Sequence, residues 1–239
     1  MVWSLPSWPP CGGVHCVAIC GAESTGKSTL LRELQERLAQ HGVAHAVVPE
    51  TLRAWCERHQ RLPVASEQAG IAQAHAQAIV DRVRDVQTQR MQTRAGPWGV
   101  LLADTSPLTT ALYSQYHFQD TQGLDACLQF ERGFSQRLLL GLDLPWVADG
   151  PWRDGPSHQA AFDRLLREQL HAHTLAHQVI YGQGEQRSQA AWLALQAQLK
   201  PPSVQDRRAA GRWRAACDCC ADPACEWALF NGLFRPASL

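Results

Sequence analysis

Gly21-Ala22-Glu23-Ser24-Thr25-Gly26-Lys27-Ser28 matches the pattern G-x-x-x-x-G-K-S at every fixed position. The run before it, Val14-His15-Cys16-Val17-Ala18-Ile19-Cys20, is short and apolar and reads as a buried strand. After it, from Lys27 to about Gln40, Leu30, Leu31, Leu34 and Leu38 fall on one helical face, and His41-Gly42 supplies a glycine stop. Strand, glycine loop and helix form the setting in which this pattern holds phosphate. The glycines let backbone N–H groups point into the concavity of the loop, and the helix N-terminus adds its dipole. Gly21, Glu23, Ser24, Thr25, Gly26, Lys27, Ser28 and Thr29 are therefore candidate nucleotide-contacting residues. Lys27 would reach the β- and γ-phosphates of ATP, and Ser28 would be a ligand of Mg²⁺. An ordinary glycine-serine turn would not require the whole pattern and both of its flanks.

Working outward, Val43 to Pro49 reads as a second strand that delivers Glu50 at its C-terminal end, the rim where open α/β sheets bind ligands. A helix continues through Leu52, Trp55 and Cys56 until Pro63 interrupts it. Ser66, an N-cap type with Glu67 behind it, opens a long helix to about Arg94. Its stripe of Ile71, Ile79, Val83 and Val86 is thin, which predicts a helix lying outside the sheet. Gly99 to Ala103 is a third buried strand, ended by Asp104, and a helix follows through Tyr113 and Tyr116. The pattern predicts a further helix over Leu124 to Leu140 and a short fourth strand over Asp143 to Asp149. A loop with Arg153 comes next, then a helix capped by Ser157, a fifth strand over His177 to Tyr181, and a last helix over Glu185 to Leu199.

Strands alternating with helices predict an α/β protein: a three-layer P-loop NTPase fold with a mostly parallel five-stranded sheet. Residues 13–199 would form this domain, residues 1–12 an irregular arm, and residues 200–239 a linker and a short Cys- and Arg-rich C-terminal tail.

The chain has 239 residues and a formal net charge of +0, so no global attraction draws it to nucleic acid or to an anionic membrane. No stretch approaches the length and apolarity of a membrane span, and Met1 to Pro10 lacks both parts of a signal peptide. Cys16 and Cys20 in the first strand, with Cys56 and Cys127 isolated in helices, read as buried thiols of a cytoplasmic protein.

A phosphate loop by itself specifies a nucleoside triphosphate and not a reaction. Glu50 and Asp104 narrow the choice, because both end strands on the rim that carries the loop. Asp104, after an apolar strand, has the form of the acid on the Mg²⁺ side, with a helix cap as its alternative. Glu50 is left as a candidate base or substrate-orienting acid, or as a solvated acid at a helix N-terminus. Arg153 can close over transferring phosphates, or pair with Asp154 at the surface. Arg53, one turn beyond Glu50, can pair with it or face a substrate. The histidines are scattered, and neither H-E-x-x-H nor a G-x-S-x-G nucleophile elbow occurs.

These segments carry a family resemblance. Gly21 to Leu30, with its acidic residue inside the loop, resembles the phosphate loop of the ribosylnicotinamide kinase domain of NadR-type proteins, within the P-loop kinases and AAA-like ATPases. Pro49-Glu50-Thr51-Leu52-Arg53 is similar to the Glu-x-x-Arg segment after the second strand of that family, and to the segment bearing the catalytic glutamate of deoxynucleoside kinases. Ala103-Asp104-Thr105 with Leu108-Thr109-Thr110, and Pro145 to Gly150 with Arg153 beyond, look like its strand-three and lid segments. The resemblance spans about residues 13–199 and implies an ATP- and Mg²⁺-dependent kinase that phosphorylates the 5′-hydroxyl of nicotinamide riboside or a similar nucleoside in NAD biosynthesis. The other class open to the sequence is an ATP-binding regulatory module that contacts a protein partner through its tail.

The tail lies outside the resemblance. Cys217-x-x-Cys220 is one metal-ligand pair, with Cys219 and Cys225 near it. Zinc on Cys217, Cys220 and Cys225 with a fourth ligand from the body is one reading. Free thiols beside a docking surface of Trp227, Leu229, Phe230, Leu233 and Phe234 is the other.

Overall fold

The strands β1 (Val14–Cys20), β2 (Ala44–Val48), β3 (Gly99–Asp104), β4 (Gln136–Leu140) and β5 (Gln178–Ile180) pair in the order β2-β3-β1-β4-β5. Every pairing is parallel. The computed structural model of the chain describes residues 3–93, 98–148 and 155–199. Its helices are α1 (Lys27–Gln40), α2 (Thr51–His59), α3 (Ala65–Thr93), α4 (Pro107–Phe118), α5 (Leu124–Glu131), α6 (Pro156–Ala172) and α7 (Glu185–Leu199).

Parallel strands buried on both faces need apolar residues at successive positions, and the period of two then divides them between two cores. Val17 and Ile19 of β1, Val100 and Leu102 of β3, and Leu138 and Leu140 of β4 face Leu30, Leu34 and Leu38 of α1 and Trp192 and Leu195 of α7. Cys16, Ala18, Leu101, Ala103 and Leu139 face the other way, into a core with α3, α4, α5 and α6. The result is the three-layer P-loop NTPase fold.

Five expectations differ from the structure. The expected helix over Leu124 to Leu140 stops at Glu131, and its last residues are β4. Gly133 breaks it at a point where a Cβ would lie 2.1 Å from Trp8. The Ser135 N–H then bonds the Cys16 carbonyl at 2.9 Å, starting the pairing with β1. Leu138-Leu139-Leu140 is a continuous apolar run that periodicity cannot assign to helix or strand. The expected strand from Asp143 is instead irregular through Ala148. Pro145 has no N–H to give to a ladder.

The long helix α3 lies against the sheet, packing on β2 and β3, and not outside it. Ala69, Ala72 and Ala76 are buried beside Ile79, Val83 and Val86, so small residues complete the stripe. Its start is also shifted. Glu67 reaches back to the Val64 N–H at 2.9 Å and is gripped by Arg61, which leaves Ser66 inside the first turn. Likewise α6 begins at Pro156 after Gly155, ahead of Ser157.

The described part of the N-terminal arm, from Trp3, has no regular structure, as expected, yet it is docked. Trp3 is buried, and the Trp8 indole N–H donates to the Phe130 carbonyl at 2.8 Å with its ring against Phe130 and Phe134. No described helix is long and apolar enough to cross a membrane.

Candidate active site

Because all five strands run the same way, their C-terminal ends share one rim. The phosphate loop leaves β1 at its middle. On one side β3 ends in Asp104 and β2 leads to Glu50; on the other, β4 leads to Gly141 and β5 to Gly182.

The loop itself is a chain of conformations that favour small residues. Gly21 has φ +145°, Ser24 +56° and Gly26 +81°, and Gly26 is the N-terminal cap of α1. The Thr25 hydroxyl donates to the Ala22 carbonyl at 2.8 Å and closes the turn. The Lys27 ammonium folds back over the loop, donating to the carbonyls of Gly21 at 3.0 Å and Ala22 at 2.7 Å.

Ser28 and Asp104, 76 positions apart in sequence, meet here: the Ser28 hydroxyl donates to Asp104 Oδ2 at 3.0 Å. Asp104 is the last residue of β3, and Ser106 occupies the cap position of α4, so the helix-cap alternative for Asp104 does not hold. Asp104 is only 6% exposed, and its Oδ1 has no hydrogen-bond partner among the described residues. A buried carboxylate oxygen without a partner is costly unless a cation or a donor arrives. A hydroxyl and a carboxylate oxygen are also the hard donors that Mg²⁺ takes alongside phosphates and water. The residues therefore fit Mg²⁺. Among the described residues no cluster of three or more His, Cys, Asp or Glu could hold a metal by itself. Next to Asp104, Thr105 adopts φ +66° and donates its N–H to the Ile19 carbonyl at 3.1 Å, tying the end of β3 to β1.

Glu50 caps α2 by position without a side-chain cap bond, and lies 3.6 Å from Arg53. A groove of about 420 Å³ opens between α2 and α3, lined by Thr51, Trp55, Arg58, Gly70 and Ile71 among others. Below the rim, burial raises the carboxyl pKa of Glu131, opposed by the Arg137 guanidinium and the Ser106 hydroxyl. Burial likewise pushes the Cys20 thiol up, so it is no thiolate nucleophile.

On the β4/β5 side the structure brings in residues that the sequence did not single out. Arg187, in the first turn of α7, is 4% exposed. Its guanidinium donates to the Gly182 carbonyl at 2.8 Å, to the Gly141 carbonyl at 3.1 Å, to the Thr25 carbonyl, and to Asp143. The segment after β4 lies across the loop. Ser24 exchanges hydrogen bonds with the backbone of Val147, at 2.8 and 3.1 Å, and Trp146 Nε1 donates to Glu23 at 3.3 Å. Gln159 of α6 donates to the Glu23 carbonyl at 2.8 Å. Arg153 and the cysteines Cys217, Cys220 and Cys225 lie outside the described residues.

Residues 16–187 match the family model described as an AAA domain. No curated protein matches the chain at a significant level. Among solved structures, the chain is similar to the NadR protein in complex with NR, with TM-score 0.60 and 20% identity over 79% of this chain and 52% of that one. It is similar also to the NadR protein in complex with NAD and AMP-PNP, with TM-score 0.56 and 20% identity over 78% and 50% of the two chains. Thymidylate kinase from Ehrlichia chaffeensis matches with TM-score 0.53 and 15% identity over 79% of this chain and 100% of that one. At these identities the likeness is one of fold, and the chain spans about half the length of the NadR chains it matches.

Proposed function

The chain belongs to the AAA domain family, and from that premise we propose that it is an ATP-dependent small-molecule kinase acting in the cytoplasm on the 5′-hydroxyl of nicotinamide riboside or a similar nucleoside. The observation that carries the proposal is Asp104: a buried carboxylate on the rim, with one oxygen engaged by Ser28 of the phosphate loop and the other without a partner among the described residues. The NadR fold, in a complex with NR, adds support for the acceptor class.

In this mechanism the loop N–H groups and Lys27 hold the triphosphate and draw charge from the γ-phosphoryl group. Ser28 and Asp104 would hold Mg²⁺, which neutralises charge developing on the phosphate oxygens. Glu50 accepts or orients the proton of the attacking hydroxyl, with Arg53 beside it at 3.6 Å. The groove between α2 and α3, about 420 Å³, is of a size to take a nucleoside. Arg153, which lies outside the described residues, is the candidate that the sequence offers for charge on the γ-phosphate.

Incubating the protein with ATP, Mg²⁺ and a panel of nucleosides including nicotinamide riboside tests the proposal. A phosphorylated nucleoside is the expected product, and its identity names the acceptor. Slow ATP hydrolysis that no nucleoside accelerates, with no phosphorylated product, would instead make the protein a nucleotide-binding regulatory module.

A further inference from the structure

Every nitrogen of the buried Arg187 guanidinium donates to the protein. Nε donates to the Gly182 carbonyl, Nη1 to the Thr25 carbonyl, and Nη2 to both the Gly141 carbonyl and Asp143 Oδ1. Asp143 in turn accepts the Gly182 N–H at 2.6 Å through its other oxygen. This ion pair, buried on its arginine side, thus joins three loops: the phosphate loop, the segment after β4 and the segment after β5. The guanidinium lies directly behind the phosphate loop, where a Cβ built on Gly26 would stand 3.6 Å from Nη1.

The bond to Thr25 has a consequence for phosphate binding. The peptide unit joining Thr25 to Gly26 is planar and trans, so its C=O and the N–H of Gly26 point in opposite directions. A Thr25 carbonyl drawn toward Arg187 turns the Gly26 N–H away from Arg187, which leaves that N–H for a phosphate oxygen held by the loop. We infer that Arg187 is a positioning residue for the nucleotide phosphates, acting through the Thr25–Gly26 peptide and touching no phosphate itself. The inference rests on the ATP-binding reading of the loop. It requires the forked shape of the guanidinium more than its charge, because a lysine ammonium cannot hold carbonyls of three loops in one plane.

The test is calorimetric titration of Mg·ATP into the wild-type protein, Arg187→Lys and Arg187→Met, at a temperature where circular dichroism shows each to be folded. Both variants are expected to bind ATP about tenfold or more weakly, the loss of a hydrogen bond to a charged group. Arg187→Lys, which keeps the charge, should give little rescue. In proton–nitrogen NMR spectra the Gly26 amide resonance of Arg187→Lys should lose the shift that ATP causes in the wild type. A lysine variant that binds ATP within twofold of the wild type and keeps that shift overturns the inference, even where Arg187→Met does not fold. Failure of the wild type to bind ATP would overturn the ATP-binding reading instead, so the two failures are distinguishable.

Discussion

The two sides of the rim flank one phosphate loop on opposite electrostatic plans. Toward β3 the loop meets the Asp104 carboxylate, whose buried Oδ1 has no hydrogen-bond partner among the described residues. Toward β5 and β4 it meets Arg187, whose Nε, Nη1 and Nη2 all donate to protein acceptors, and Asp143, which accepts from Arg187 and from Gly182. The first side keeps a polar group unsatisfied inside the protein, which costs free energy until a ligand arrives. The second side is closed on itself and contributes order. The contrast separates the proposed chemistry from the frame that holds it.

The strongest way to break this division is at the loop between the two sides. Lys27→Ala should leave the fold intact and lower ATP-dependent phosphorylation on the order of 10³-fold, since it removes a cation aimed at developing charge. Product formation at saturating acceptor, with circular dichroism as the control for folding, reads it. Turnover close to the wild type would mean that this ammonium serves the loop, as through the carbonyls of Gly21 and Ala22, and not the transferring phosphate.

Asp104→Asn comes next. The amide oxygen can still accept from Ser28, so the loop contact survives while the negative charge is lost. Turnover should fall about 10²-fold and the Mg²⁺ concentration for half-maximal rate should rise, as expected for a weakened cation site. An unchanged Mg²⁺ requirement would reduce Asp104 to a hydrogen-bond partner and remove the main difference between the two sides.

How much of each side could be read from the chain follows the same division. Glu50 and Asp104 stand at the ends of short apolar runs, so local pattern was enough to put both on the rim. The phosphate loop likewise carries its own signal in eight consecutive residues, Gly21 to Ser28. On the other side Leu138-Leu139-Leu140 passed for the end of a helix, and the strand was expected where Pro145 forbids one. Arg187 was hidden for a different reason. Most of its partners are backbone carbonyls, those of Thr25, Gly141 and Gly182, and a carbonyl is the same whatever residue bears it. One signal was present. A cation in the first turn of a helix is disfavoured by the helix dipole, so an arginine at that place in α7 needs a partner elsewhere.

A smaller effect distinguishes the two carboxylates within the first side. Glu50→Gln should lower turnover by about tenfold to 10²-fold with ATP affinity unchanged, the behaviour of a group that meets the acceptor hydroxyl and not the nucleotide. Comparing turnover with the ATP dissociation constant separates this from Asp104. Equal losses in both quantities would place Glu50 with the nucleotide and leave the acceptor hydroxyl without its base.

The smallest expected effect asks whether the ordering side depends on Arg187 or on the whole segment after β4. Trp146 reaches Glu23 of the loop through a single N–H at 3.3 Å, while its neighbour Val147 is already held by Ser24 through two bonds. Trp146→Phe keeps an aromatic ring and deletes the donor. With the Val147 contacts intact, ATP affinity should fall about two- to fivefold, the net value of one partly exposed hydrogen bond. The same titration that reads Arg187→Lys reads this variant. If Trp146→Phe weakens ATP as much as Arg187→Lys, the segment lying over the loop shares the positioning work, and order on this side is distributed. If it falls well short, the loop is set from behind by the fork of Arg187 on the Thr25 carbonyl, and the strap in front of it only follows.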